Sequence, residues 1–317
     1  NTALKTYDLE TAKKNILQQI NRRKAKSNYI YNYAVAATLA LILTTTYFFG
    51  DNLFNTTAKD VVSPKIFNAN TIEYGKDKAV LTLENGTQIA LEKGNSIQTP
   101  NASSNGKELV YQNKAKQIVE LVYNQLTVPR GGQFVVELSD GTKVWLNSDS
   151  KLKYPVKFFP EKKRNDEIDY GEAYFEVSPK KNDARSSFNV ETKSQKINVL
   201  GTKFNIKAYK EDKFITTTLV EGSVKIKNGN IDKVLKPNQQ SKINFESNEI
   251  EISIIDVSHE ISWVSGLFSF NEASLENIME SLSRWYDVKV VFESGYQKRF
   301  LFTGILERSK SIEEIFS

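Results

Sequence analysis

Three patterns of apolar and polar positions divide the chain. The first is a block: from Ser27 to Gly50, 24 consecutive residues carry no formal charge, and Ala, Leu, Ile, Val, Tyr and Phe dominate. About 20 helical residues rising 1.5 Å each cover a hydrocarbon core of roughly 30 Å, so Tyr29 to Phe49 is predicted to form a single transmembrane helix. A buried helix of a soluble domain would rarely lack charge over that length. A cleaved leader would have a shorter apolar run and a small-residue cleavage site, whereas this run ends in Tyr47-Phe48-Phe49. Arg22, Arg23, Lys24 and Lys26 precede it, while Asp51 follows and the next lysine is Lys59. The bias of cations toward the cytoplasmic side places the N-terminus inside and the long remainder outside.

The second pattern is alternation. Between 71 and 258, short apolar-polar runs are separated by turn dipeptides, the signature of an all-β region. Val80 to Leu91 is predicted as a hairpin closed by Asn85-Gly86, with both turn residues at positive φ, and Val136 to Leu146 repeats it around Asp140-Gly141. Aligning Leu83 with Leu138 also pairs Gly86 with Gly141, Thr87 with Thr142 and Ile89 with Val144. A repeated hairpin suggests an elongated two-sheet or solenoid-like body. Further strands are expected over 172–177, 188–192, 196–200, 204–209, 215–220 and 223–226, with Asn228-Gly229 as another turn. Asp166, Glu167, Asp169, Glu172 and Glu176 lie close together; paired carboxylates can serve acid-base chemistry, but charges along strands are ordinarily a solvated face.

The third pattern is helical. In the head, 1–26, Leu9, Ala12, Ile16, Leu17 and Ile20 share one face of a predicted helix with Asp8 as N-cap, either solvated or partner-binding. Residues 51–70 show no period and read as a tether. In 259–317, Leu267 to Phe270 is a strand and Ser274 caps a helix whose buried stripe is Leu275, Ile278, Met279 and Leu282. Val288 to Phe292 and Phe300 to Thr303 are predicted strands, and Ser311 with Glu314 makes a capping box. This small α+β unit stops mid-helix with an open sheet edge, so it is expected to be completed by residues beyond Ser317 or by a partner. The fold class expected is therefore mainly β, with one membrane helix and a small α+β domain at the end.

Composition narrows the chemistry. Forty-three basic against 38 acidic residues give a net charge of +5, with the basic excess gathered in the head, so the outer part is nearly balanced and direct nucleic-acid binding is not expected. There is no cysteine, which excludes disulfides and thiolate chemistry. His259 is the sole histidine, so no metal site and no cofactor are expected, and a Ser-His-Asp triad could be built only around that residue. No Gly-rich phosphate loop is present, and an enzyme is the weakest reading.

Five segments resemble the FecR family of bacterial anti-sigma regulators in its Bacteroidetes form: Leu126 to Phe134 (LTVPRGGQF), Leu138 to Ser148 (LSDGTKVWLNS), Gly171 to Val177 (GEAYFEV), Val199 to Ile206 (VLGTKFNI) and Thr218 to Val224 (TLVEGSV). Trp263 to Thr303, with Arg284-Trp285-Tyr286-Asp287-Val288, is similar to the short N-terminal domain of secretins and TonB-dependent receptors. The resemblance implies an inner-membrane, single-pass relay. A cytoplasmic head would bind an ECF sigma factor, and the periplasmic part would contact the signalling domain of an outer-membrane TonB-dependent transporter until stepwise proteolysis frees the sigma factor. Most of the cytoplasmic sigma-binding domain of the family has no counterpart in 1–26.

The resemblance also implies self-cleavage between Gly201 and Thr202, the only enzymatic step expected. A Thr hydroxyl can attack the preceding carbonyl carbon, leaving an ester that water hydrolyses, provided the fold strains the bond. The alternative for the same pair is a bulge or tight corner before the next strand. Partner recognition is expected by strand addition or helix packing around Phe268, Phe270, Val290 and Phe292, each of which is also an ordinary core candidate. A membrane-anchored β scaffold that binds carbohydrate or envelope remains the alternative function.

Overall fold

The computed structural model describes residues 72–112, 120–159, 162–179 and 187–317. The predicted head 1–26, membrane helix 27–50 and tether 51–70 lie outside the described residues. Among the described residues no helix is long and apolar enough to cross a membrane.

In chain order the strands are β1 (Lys76–Thr82), β2 (Gln88–Glu92), β3 (Ile97–Gln98), β4 (Ala102–Ser104), β5 (Glu108–Tyr111), β6 (Tyr123–Val128) and β7 (Gly132–Glu137). Then come β8 (Lys143–Leu146), β9 (Ser150–Pro155), β10 (Arg164–Glu176), β11 (Phe188–Glu191), β12 (Lys196–Val199), β13 (Lys203–Ala208) and β14 (Phe214–Glu221). The body closes with β15 (Val224–Asn228), β16 (Ile231–Leu235), β17 (Gln239–Asn244) and β18 (Ile250–Ile254). Helix α1 (Val257–Glu260) and a 3-10 turn, Ser262–Ser265, lead into β19 (Leu267–Ser274), α2 (Leu275–Tyr286), β20 (Leu301–Glu307) and α3 (Ile312–Phe316).

The eighteen strands of the body form two layers joined by one long strand and by a short parallel pairing of β1 with β7 at Lys76 and Asp77. One layer runs β2-β1-β6-β9-β10-β11-β12-β15-β16, the other β3-β4-β5-β7-β8-β10-β13-β14-β17-β18. Strand β10 belongs to both. Its first half pairs with β9 and β11, and from Gly171 onward it pairs with β8 and β13. Gly171 makes the crossing possible: at φ 102° a side chain would be strained, and a Cβ would overlap Ser150.

Alternation along each strand sends one set of side chains into the space between the layers. Leu81, Leu126, Leu152, Phe188 and Ile226 from one layer meet Phe134, Val144, Phe175, Phe204 and Leu219 from the other, all buried. Phe175 and Phe204 stack with ring centroids 5.0 Å apart, and each such buried side chain contributes about 1.5–3 kcal/mol relative to exposure. A one-residue slip would turn these side chains outward, so the core fixes the register.

The predicted hairpins form, with a different turn. Gly86 and Gly141 have φ of 82° and 85°, but Asn85 and Asp140 do not take positive φ. Instead Gly86 N donates to Leu83 O and Gly141 N to Leu138 O, both at 2.9 Å, while the Asn85 and Asp140 carboxamide and carboxylate oxygens accept from Thr87 N and Thr142 N at 3.0 Å. This is a three-residue loop ending in a left-handed glycine. The two copies lie in opposite layers rather than stacked, so the repeat is local and the body is two-layered, not a solenoid.

Two further corrections concern charge and the end of the chain. The acidic run is not all solvated: Asp166 and Glu172 are buried with Arg164, while Glu167 and Asp169 point outward, following the alternation of β10. Val288 to Phe292 forms no strand, so the terminal domain is β-α-β with a two-stranded sheet. Helix α2 starts as predicted, the Ser274 side chain accepting from Asn277 N, and α3 carries the predicted capping box. Phe268, Ile278, Leu282, Trp285 and Tyr286 form its core, joined by Ile72 from the start of the body. Residues 71–317 make one compact unit, within which the terminal part keeps its own sheet and its own core.

Candidate functional site

The terminal domain is fastened to the β body by three arginines. Arg130 lies in the turn between β6 and β7 and reaches the C-terminus of α2, where the last carbonyls of a helix have no partner within it. One guanidinium nitrogen donates to Ser283 O at 2.6 Å and Val288 O at 3.1 Å, and Nε donates to Asp287 at 3.2 Å. Beside it Gly131, at φ 65°, donates its N–H to Arg284 O at 2.7 Å. The helix thus ends on a loop of the body. A cation there also opposes the negative end of the helix dipole.

Arg284 crosses the other way. Its guanidinium lies 3.8 Å from the Tyr209 ring and donates to Glu211 Oε1 at 2.7 Å. Burial pulls its pKa down, but Tyr209, Asp212 and Glu211 outweigh that and hold it above its ordinary value. Tyr209 in turn donates to Ser148 O at 3.1 Å, and burial pushes its phenol well up.

Arg308 follows β20 and is 3% exposed. Its guanidinium stacks 3.6 Å from Trp285 and donates to Trp263 O at 3.2 Å and Asn147 Oδ1 at 2.8 Å. Asn147 donates onward to Glu172 Oε2 at 2.8 Å, and Asn205 donates to Glu172 Oε1 at 2.9 Å. Burial draws the Arg308 pKa down to about 10. Among the described residues no carboxylate forms an ion pair with it.

The predicted cleavage pair sits elsewhere, where the chain passes from β12 in one layer to β13 in the other. Gly201 and Thr202 form that corner. A Cβ on Gly201 would lie 2.7 Å from Pro179, and one on Gly222 would lie 2.9 Å from Thr202 Oγ1 and 3.0 Å from Gly201 O, so the close packing at this corner leaves room only for glycine at both positions. Thr202 is buried; its hydroxyl donates to Ser223 O at 3.1 Å and its carbonyl accepts from Val177 N at 3.0 Å. A carbonyl orients the hydroxyl without being able to take its proton.

The four predicted contact residues separate. Phe268 is buried in the domain core and Phe270 is half-buried against it, their rings stacked at 6.1 Å. Val290 and Phe292 line a groove of about 560 Å³ with Met279, Lys289 and Arg130, and Lys298 lies 5.2 Å from the Phe292 ring. Leu301 and Phe302 on β20, absent from the prediction, are exposed.

Every fastening residue but Glu211 and Arg308 falls within or beside the segments that carried the resemblance. Residues 124–225 match the family model of the FecR protein, and residues 267–317 match that of the FecR C-terminal domain. The chain belongs to the FecR family. Two crystal structures of a candidate anti-sigma factor from Parabacteroides distasonis ATCC 8503 are similar to this FecR-family chain. Each is 29% identical; one, at 1.65 Å, covers 60% of this chain and 87% of its own with a TM-score of 0.55, and the other, at 2.50 Å, covers 61% and 88% with a TM-score of 0.52. No curated protein matches the chain.

The FecR segments therefore have a structural use that their spelling does not reveal. Pro129-Arg130-Gly131 caps α2, Asn147-Ser148 receives Arg308 and Tyr209, Glu172 anchors Asn147, and Arg284-Trp285 supplies the return contacts. Arg308 was not foreseen, since a lone arginine after a strand resembles any surface cation.

Proposed function

We propose that this FecR-family chain is a single-pass anti-sigma regulator of the inner membrane. The cytoplasmic head holds an ECF sigma factor, and the periplasmic part meets the signalling domain of a TonB-dependent transporter. The observation that carries the reading is the fastening itself: the terminal domain ends its helix on the loop of the FecR body, so a partner that pulls on one pulls on both. Val290 and Phe292 in their groove, with the exposed Leu301 and Phe302, are the contact surface. The open edges of the two-stranded sheet provide main-chain pairing.

Self-cleavage at Gly201-Thr202 belongs to the same reading. Thr202 Oγ adds to the Gly201 carbonyl carbon, the bond from that carbon to Thr202 nitrogen breaks, and the nitrogen takes the proton that the hydroxyl gives up. Water then hydrolyses the ester to a Gly201 carboxylate and a Thr202 hydroxyl. The position of the pair, at a tight corner with the Thr202 hydroxyl buried and held by Ser223 O, is what supports the step.

Affinity capture with the full-length chain tests the function. Recovery of an ECF sigma factor together with a TonB-dependent transporter is expected. Retention on glycan with neither protein would replace the regulator by the carbohydrate-binding scaffold.

A further inference from the structure

Residues 72–75 are the stem by which the chain enters β1, and two of them are given to the terminal domain rather than to the body. Ile72 packs against the core that Phe268, Leu282 and Trp285 form. Gly75 is buried against the Trp285 indole, where a Cβ would overlap the six-membered ring, so only glycine fits. Glu73, Tyr74 and Lys76 face solvent. The indole is not free to withdraw: its Nε1 donates to Arg308 O at 2.9 Å, and the Arg308 guanidinium lies 3.6 Å from the ring.

The next residue is tied to the same place. Lys76 N donates to Gly131 O at 3.0 Å, and Gly131 N donates to Arg284 O at 2.7 Å, so one glycine of the β6-β7 turn holds both the end of the stem and the last turn of α2. Lys76 and Asp77 then make the parallel pairing with β7 that links the two layers, and Gln133 donates to Asp77 Oδ1 at 3.0 Å. Stem, turn and helix end thus meet at one point, from three stretches far apart in the chain.

We propose that α2 and the stem form a latch: the terminal domain closes over the residues by which the chain enters the body, and its displacement releases 72–75 before any strand of the body opens. Among the described residues no strand pairs with 72–75, so once Trp285 and the core around Ile72 move away the segment opens at little cost, while the strands beyond it keep their ladders. The coupling is reciprocal. What draws the terminal domain away loosens the stem, and what pulls on the stem loosens the domain by the same free energy. The latch goes beyond the regulator reading and requires neither a sigma factor nor cleavage at Gly201-Thr202, so its failure would leave that reading untouched.

The test uses the full-length chain in detergent micelles, with amide hydrogen exchange read by mass spectrometry. Gly75→Ala, whose added Cβ meets Trp285, is expected to speed exchange in α2 about tenfold or more while β13 and β14 keep the protection of the parent. In a Trp285→Phe background, where the ring is smaller, the same change should affect α2 little, and a double-mutant cycle measures that difference. From the other side, Arg284→Gln releases α2 from Glu211 and leaves the residues of the stem in place. It should raise the exchange of 72–76 several-fold, and with it the rate at which chymotrypsin, cutting after Tyr74, yields the fragment that begins at Gly75, because such a cut follows the population of the open segment. If Gly75→Ala does not fold, this second arm decides alone. Parental exchange in α2 of Gly75→Ala, an equal effect in both Trp285 backgrounds, or a stem that exchanges and is cut at the parental rate in Arg284→Gln overturns the latch.

Discussion

A single carboxyl group illustrates what burial does to a residue that the sequence presents as one of a charged row. Asp166 is 2% exposed, and neither oxygen has a hydrogen-bond partner. Burial first, and the nearby Asp140 second, push its pKa well above the usual carboxylate range, against the opposing pull of Arg164. Arg164 is itself committed to Asp140 at 2.6 Å, a pair with side chains 2% and 0% exposed. A folded-state pKa raised above the unfolded one means that the stabilising contribution is complete below the unfolded value and is lost as pH rises through the folded one. Asp166→Asn, which cannot ionise, is therefore expected to gain on the parent by up to about 1.4 kcal/mol per pH unit across that window. Urea midpoints of both proteins from acid to neutral pH check it; parallel curves would show that Asp166 ionises freely. Nothing in the run Asp166 to Glu176 announced this. The alternation was legible, but which phase faced inward depended on β10 lying between two layers, which is a tertiary fact.

Elements fared better where their signals are local. The cap at Ser274, the capping box at Ser311 and the strands from Phe188 to Ile226 follow from periodicity and caps alone, because those interactions span three or four residues. Val288 to Phe292 misled because an apolar run with β-branched residues is only a strand if a neighbour pairs with it. Two predictions belong at this scale. Gly171→Ala places a Cβ against Ser150 at a φ of 102°, and is expected to cost roughly 2–4 kcal/mol in chemical denaturation, since both the strain and the overlap fall on the strand common to the two layers. Arg130→Ala removes the donors at the end of α2 and is expected to cost about 1–3 kcal/mol, seen as faster amide hydrogen exchange in α2. Arg130→Lys should not restore protection, because an ammonium cannot reproduce the planar fork that reaches two carbonyls and Asp287 at once.

For the whole molecule, the contacts that fasten the terminal domain to the body come from positions distant in the chain, such as Arg130 with Ser283 and Asn147 with Arg308. Such pairings have no sequence period, which is why the resemblance could point to the segments without giving their purpose. The same connectivity bears on cleavage. Strand β12 pairs with β15 and β13 with β10, so both sides of Gly201-Thr202 are tied across the break. The parent is expected to run as two fragments on a denaturing gel yet elute as one species natively, and Thr202→Ala as one polypeptide in both; identical denaturing patterns would end the cleavage reading. The central claim is that the fastening transmits what the terminal domain senses. Transcription from a promoter of the partner sigma factor, in cells carrying the parent or Arg130→Ala at equal protein level, measures it directly. The account predicts that the parent responds to the transporter's substrate and that Arg130→Ala no longer does; an unchanged response in the variant would contradict it.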